Sequence, residues 1–225
     1  MEFKTLLKAL FKPNEATREA YLKVGFMWVF LFLLIPAVLN GYATFTYTSK
    51  MLKAVKIHVE EKVRPKIPFS LPGRETAGLT ALIPVLAGVS SALSLFIWFA
   101  VEVVILHLLA KALGGKGSIG RFSSAVACSF TPYLIRHVLR VLDSLRLTPE
   151  QAASLMRVTR WEKFLTGCLS LFSIWSLAIL VFAVKNSHEI GARKSVALCL
   201  AFHVAFTAFV YLLIPSLPLA TRVRL

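Results

Sequence analysis

Residues 24–49, VGFMWVFLFLLIPAVLNGYATFTYTS, carry no charged side chain. A bilayer hydrocarbon core of about 30 Å needs about 20 apolar residues as a helix, so this run is long enough to cross one. Three more runs match it. Between Glu75 and Lys111 the only charged residue is Glu102, and Lys163 to Lys185 and Ser195 to Thr221 are clean. A fifth stretch, Phe122 to Leu142, carries Arg136 and Arg140 and is otherwise apolar. The expected fold class is therefore all-α and integral to a membrane, with five transmembrane helices and short interfacial helices.

Composition agrees. The chain has 225 residues, 57% of them hydrophobic, and a mean hydropathy of +0.71, which suits no soluble class. The formal net charge of +15 would suggest nucleic acid in a soluble protein. Here Lys and Arg flank the apolar runs, where they reach the interface and meet anionic lipid headgroups. A bilayer with anionic headgroups is the expected partner, and nucleic acid is not. Cys128, Cys168 and Cys199 fall inside apolar runs and read as small apolar residues. The opening MEFKTLLKALFKPNE is interrupted at Pro13-Asn14 and has no small-residue cleavage site, so the first apolar run, and no cleaved leader, is expected to direct insertion.

Two segments are expected. Residues 1–20 read as a basic amphipathic interfacial segment. Phe3, Leu6, Leu7, Leu10 and Phe11 recur at helical spacing, with Lys4, Lys8 and Lys12 on another face; a frayed tail is the plainer alternative. Residues 21–225 read as the five-span membrane domain. Its first span covers about Leu22 to Thr46, with Pro36 as a kink. A basic connection follows through Lys50, Lys53, Lys56, Lys62, Arg64 and Lys66, broken by Pro65, Pro68 and Pro72-Gly73. The second span lies within Gly78 to Ala110 and contains Pro84. The third follows the turn Leu113 to Ser118 and holds Pro132. Thr148-Pro149-Glu150-Gln151 reads as a capping box opening a short surface helix to about Glu162. The fourth span is expected from Phe164 to Val184 and the fifth from Val196 to Leu217. Gly88 with Ala92, Ser124 with Cys128, and Ala201 with Ala205 are small pairs at four-residue spacing, which let helices approach closely.

Among eleven acidic residues only Glu102 lies inside a span. A membrane carboxylate costs at least about 2.5 kcal/mol and so has a partner or a task. Glu102 is nine residues before Lys111, His203 nine after Lys194, and Ser176 nine before Lys185. At about 1.5 Å per residue each sits about 13 Å from one face, and Thr131 falls at similar depth. Glu102, Thr131, Ser176 and His203 thus form a candidate intramembrane polar layer. It reads either as a clamp between helices or as a proton, ion or polar-substrate site. Gly114-Gly115-Lys116-Gly117-Ser118 lacks the Gly-Lys-Ser/Thr order and the preceding strand of a phosphate loop, and reads as a tight turn with Lys116 near a lipid phosphate. Lys4, Lys8, Lys12 and Lys116 are the candidate headgroup contacts. No metal, catalytic or cofactor set stands out. His188-Glu189 lacks the second His of a zinc helix, and Asp143 is the only aspartate, whereas aspartyl chemistry needs two.

At Leu113 to Ser118, Ala127-Cys128-Ser129-Phe130-Thr131-Pro132 and Trp175 to His188, the chain resembles the Yip domain family, the Ypt/Rab-interacting membrane proteins and their prokaryotic relatives. The resemblance runs from Leu10-Phe11-Lys12-Pro13 to the fifth span. It implies five transmembrane helices, a cytoplasmic N-terminus and, in eukaryotic members, engagement of Rab GTPases in vesicle traffic. This chain lacks their long polar N-terminal region, and Cys128-Ser129-Phe130 replaces the Gly-Tyr that often precedes Thr-Pro. A Rab-type GTPase is accordingly not an expected partner, and the chain reads as a prokaryotic-type member, which would place it in the cell membrane. Counting Lys and Arg, the N-terminal side holds 11 and the other side 15. The positive-inside rule thus leans against the family's orientation, and the family's is preferred.

The expected role is non-enzymatic: membrane organisation, scaffolding or interaction with a membrane protein or a second copy of the chain. A small transporter, channel or lipid-moving protein, built on the Glu102 layer and on helices broken at Pro36, Pro84 and Pro132, is the alternative. A wet path past Glu102 would favour transport, and a sealed layer would favour a scaffold.

Overall fold

The computed structural model describes residues 2–63, 75–154 and 158–213, which are helical with no strand among them. In order they form α1 (Glu2–Lys8), α2 (Pro13–Lys23), α3 (Phe26–Val63), α4 (Glu75–Ala112), α5 (Ile119–Ala127), a 3-10 turn (Cys128–Phe130) and α6 (Thr131–Arg146). They continue with α7 (Pro149–Ser154), α8 (Arg160–Leu169), α9 (Leu171–His188), α10 (Ala192–Ala208) and a π turn (Phe209–Leu213). Most of the proline-rich connection (Arg64, Pro65, Lys66, Pro68, Pro72, Gly73), the last residues of the expected fifth span, and Arg222 and Arg224 lie outside the described residues.

Four helical stretches are long and apolar enough to cross a membrane: Phe26–Val55, Ala81–Ala112, Leu171–His188 and Ala192–Leu212. The third expected span differs. Its run is divided by the 3-10 turn, and α6 carries Arg136, Arg140 and Arg146. The fourth starts later than Phe164. Ser170 adopts an extended ψ of 146° and its side chain accepts from the Ser173 N–H, capping α9 and ending α8. The surface helix after Thr148 is described as far as Ser154, and Val158 and Thr159 are not helical, so it does not run to Glu162. Its capping box is present, with Thr148 N–H donating to Gln151 Oε1 at 2.9 Å and Gln151 N–H to Thr148 Oγ1 at 3.3 Å. A second box, Thr159 with Glu162, opens α8. Pro36 and Pro84 lie inside uninterrupted helices, so neither breaks its span. Pro132 follows the 3-10 turn in the first turn of α6, where a missing N–H costs nothing.

The expected N-terminal segment over residues 1–20 holds two helices. α1 ends at Lys8 and Pro13 opens α2. Leu6, Ala9, Ala16, Thr17 and Ala20 are fully buried, so one side of each helix packs into the protein. Lys8 pairs with Glu15 at 3.2 Å and Glu19 at 3.3 Å, and Lys12 with Glu15 at 3.5 Å. Contact with Lys8, then the charge of Lys12, holds the Glu15 carboxyl below the usual carboxylate range. Contact with Glu15, then Glu19, holds the Lys8 ammonium above its own.

The chain divides into two compact units. One comprises Met1–Pro36, Leu95–Arg136 and Thr159–Leu225, and the other Ala37–Ser94 and His137–Val158. In the second unit α3 and α4 meet along glycines. A Cβ on Gly41 would stand 2.8 Å from the Gly88 carbonyl oxygen, and one on Gly88 would stand 2.9 Å from that of Gly41. The same seam carries a polar chain. Arg140 donates to Asn40 Oδ1 at 2.5 Å, Asn40 Nδ2 to Ser91 Oγ at 2.8 Å, and Thr44 to Ser91 Oγ at 2.9 Å. Lys50 Nζ donates to the carbonyls of Leu145 and Leu147, at 2.9 and 2.7 Å, satisfying the free end of α6. Of the other small pairs, Ser124 and Cys128 are buried, whereas Ala201 and Ala205 line an open apolar groove.

Two outcomes follow from this packing. Gly88→Ala and Gly41→Ala should each lower the thermal midpoint in detergent, at an overpacking cost of about 1–3 kcal/mol. Gly120→Ala, whose Cβ would meet nothing within 4 Å, should raise it slightly. The Glu15 pairing acts through a depressed folded-state pKa. Its stabilisation is complete above the reference value of 4.5 and fades as pH falls through the lower folded value. The midpoint should therefore drop on acidification from about pH 5 to about pH 3, less in Lys8→Met and less in high salt.

Candidate functional site

The expected polar layer assembles in part. Glu102 on α4, Ser176 on α9 and His203 on α10 line one small cavity in the first unit, walled by Trp98, Tyr133, Leu180 and Phe206. Its volume is about 10 Å³, the threshold for one water. Glu102 is 6% exposed, and among the described residues no charged side chain acts on it. His203 Nε2 is buried without a hydrogen-bond partner among the described residues, while the imidazole interacts with the Cys168 backbone. Ser176 donates to the Ser129 carbonyl at 2.7 Å, and Tyr133 interacts with Ser173 and Ser176.

Thr131 does not join the layer. Its hydroxyl donates to the Leu6 carbonyl at 2.9 Å, tying α1 to the start of α6. The depth count missed this because the chain around Thr131 is not one straight helix. A 3-10 turn precedes it, and depth alone does not say which way a side chain points.

A second polar cluster sits at the ends of α4, α5 and α9. The turn Gly114 to Gly117 wraps around His188, which is wholly buried. Lys116 N–H donates to the His188 carbonyl at 3.1 Å, and Gly115 N–H to that of Ala110 at 2.8 Å. A Cβ on Gly115 would stand 2.9 Å from the His188 side chain, and one on Gly117 would collide with the Ser187 carbonyl oxygen. Gly114 takes φ +90°, a conformation that glycine adopts without strain. The turn's inner face is therefore filled by protein and leaves no phosphate cradle. His188 Nε2 lies 3.3 Å from His107 Nδ1, and Phe122 stands edge-on to the His188 ring at 4.7 Å. Next to it, Asn186 Nδ2 donates to the Asn14 carbonyl at 3.0 Å and to Thr17 Oγ1 at 2.9 Å, joining α9 to α2. His107 and His188 stand 81 positions apart, and nothing local in the sequence pairs them. The reversal after α9 is made by Glu189 at φ 56°, not by Gly191, which caps α10 at φ −61°.

The four candidate headgroup lysines part company. Lys8 and Lys12 are paired with acidic residues of α2, whereas Lys4 and Lys116 are exposed with no ion pair among the described residues. Among the described residues no group of three or more His, Cys, Asp or Glu could hold a metal ion.

The stretches that carried the family resemblance are the ones that meet in space. The glycine turn encloses His188 at the end of α9, and the segment before Thr131-Pro132 accepts the Ser176 hydroxyl from its middle. Pro13 opens the helix whose Asn14 and Thr17 receive Asn186. No curated protein and no solved structure matches the chain significantly. The family model for the Yip1 domain matches residues 7–214, and the chain belongs to the Yip1 domain family of membrane proteins.

Proposed function

We propose that this protein is a non-enzymatic membrane organiser that acts through protein or lipid contacts made within the bilayer. The observation that carries the reading is the size of the Glu102 cavity. At about 10 Å³ it has room for one water and none for a solute. The larger concavities, about 390 and 550 Å³, are open and almost wholly apolar, and they look outward. The Glu102 layer then serves as a clamp, with Glu102, Ser176 and His203 coupling α4, α9 and α10. A transport role would use the same residues and would need the layer to open. The uninterrupted helices at Pro36 and Pro84 remove two of the broken segments on which that reading drew.

The proposed topology has five crossings, the third made jointly by α5, the 3-10 turn and α6, with the N-terminus cytoplasmic and the C-terminus opposite. In a prokaryote the site of action would be the cell membrane, with a membrane-protein partner or a second copy of the chain engaged there. A Rab-type GTPase is not proposed.

Two measurements test this. In the clamp reading Glu102→Ala leaves His203 facing an enlarged cavity and lowers the thermal midpoint in detergent by an amount equivalent to about 2–5 kcal/mol, while Glu102→Gln costs less. Substrate-independent ion or proton flux in proteoliposomes, abolished by both changes with little loss of stability, would establish transport instead. Reporter fusions after Arg18 and after Arg224 should report opposite compartments, and the same compartment for both would reject five crossings.

A further inference from the structure

An apolar groove of about 390 Å³ runs between α3, α4 and α5 in the first unit, within the size range of small-molecule sites. Phe26, Phe30, Phe96, Val103 and Ile119 line it, with Gly120 at its end. Phe30 and Phe96 stack at 5.4 Å to form one wall, and Phe26 and Ile119 are 70% and 46% exposed. No acidic side chain lines it.

The Gly120 end is cationic. Arg121 follows Gly120 directly, Lys116 lies in the turn before Ile119, and Lys23 precedes Phe26 by three residues. The Ser124 hydroxyl donates to the Val24 carbonyl at 2.7 Å, which fixes the junction of α2 and α3 against α5. Lys23 and Arg121 therefore stand at the same end. Lys116 and Arg121 are exposed and make no ion pair among the described residues. Lys23 reaches only Glu19, at 3.8 Å, and Lys8 shares that carboxylate. Ser118, the N-cap of α5, makes no side-chain hydrogen bond to the helix, so the first-turn N–H groups add to the positive end.

We propose that this groove holds one anionic diacyl phospholipid, its acyl chain along the Phe26–Phe30–Phe96 wall and its phosphate at Arg121 and Lys116. The charge pattern selects this occupant: the slot is apolar along its length and positive at one end. A partner helix is a poorer fit, because close helix contact needs small residues, as at Gly41 and Gly88, and this wall is built of phenylalanines. The proposal is independent of whether the Glu102 layer is a clamp or a pathway.

The test is native mass spectrometry of the full chain released from detergent, titrated separately with dioleoyl phosphatidylglycerol and dioleoyl phosphatidylcholine. The wild type should retain the first at least about fivefold more tightly, the effect of one cationic side chain near an anionic lipid. Arg121→Gln should lose about that factor for phosphatidylglycerol and leave phosphatidylcholine unchanged. Gly120→Leu, whose Cβ enters open space, should weaken both lipids at an unchanged thermal midpoint. Equal retention of the two lipids by the wild type, or phosphatidylglycerol binding unaffected by both variants, would overturn the proposal. So would a change of oligomeric mass in Gly120→Leu with lipid binding intact, which would give the groove to a helix of a second copy. If Gly120→Leu does not fold, the exposed Arg121→Gln exchange decides the question alone.

Discussion

A buried histidine filling the space beside two glycines fixes the ends of three helices at once. His188 ends α9, and its ring occupies the volume that a Cβ on Gly115 or Gly117 would need. The Gly115 N–H closes the end of α4 onto the Ala110 carbonyl, and the Lys116 N–H closes the turn onto His188 itself. α5 begins three residues after Lys116. The composition of the turn follows from this contact. Any side chain at Gly117 meets the Ser187 carbonyl oxygen, so the glycines record a close approach of backbone to backbone. Once α4, α5 and α9 are joined there, Asn186 can reach Asn14 and Thr17, and α2 takes its place against the same helix.

The remaining polar contacts of this unit obey one rule. Backbone groups within a bilayer have no water to bind and need partners inside the protein, and helix ends and breaks are where carbonyls are left over. The hydroxyls go to those carbonyls. Ser124 serves Val24 at the end of α2, Thr131 serves Leu6 in the last turn of α1, and Ser176 serves Ser129 in the 3-10 turn. Each such bond is worth about 1 kcal/mol net, and an unmet carbonyl would cost more. A fold with this many short helices needs small hydroxyl side chains at the breaks, and the sequence has them there.

Four of the expected spans were legible because bilayer length and absence of charge are properties of composition, readable without knowing any contact. The breaks inside them were harder. Nothing in the local pattern sets Ser170 apart from the other serines of its run, yet it caps α9, because capping depends on backbone geometry that an apolar run conceals. The layer of Glu102, Ser176 and His203 was legible by counting residues from the interface, since a straight helix converts sequence into depth. Thr131 escaped the count because its helix is not straight. The pairing of His107 with His188 and the Arg140–Asn40–Ser91 chain were not legible at all, since each joins residues far apart in sequence and nothing local marks the partner. The ion pairs of the N-terminal lysines were not legible for a related reason. Their spacing marks a basic face, but the partners Glu15 and Glu19 lie on the next helix.

That pairing changes where the protein's positive charge is free to act. Lys8 and Lys12 are engaged with α2 through contacts that are exposed and hence weak individually, but geometrically they point the charge back at the protein. Lys116 and Arg121 are exposed and make no such ion pair among the described residues, and Arg121 directly follows the Gly120 that lines an apolar slot. The basic excess therefore divides into charge that holds the N-terminal helices together and charge available to a ligand. The two kinds answer differently to salt and pH. The first depends on carboxylates and weakens on acidification as Glu15 takes up its proton. The second involves no carboxylate, so lipid retention at the groove and stability of the N-terminal helices should come apart between about pH 5 and about pH 3.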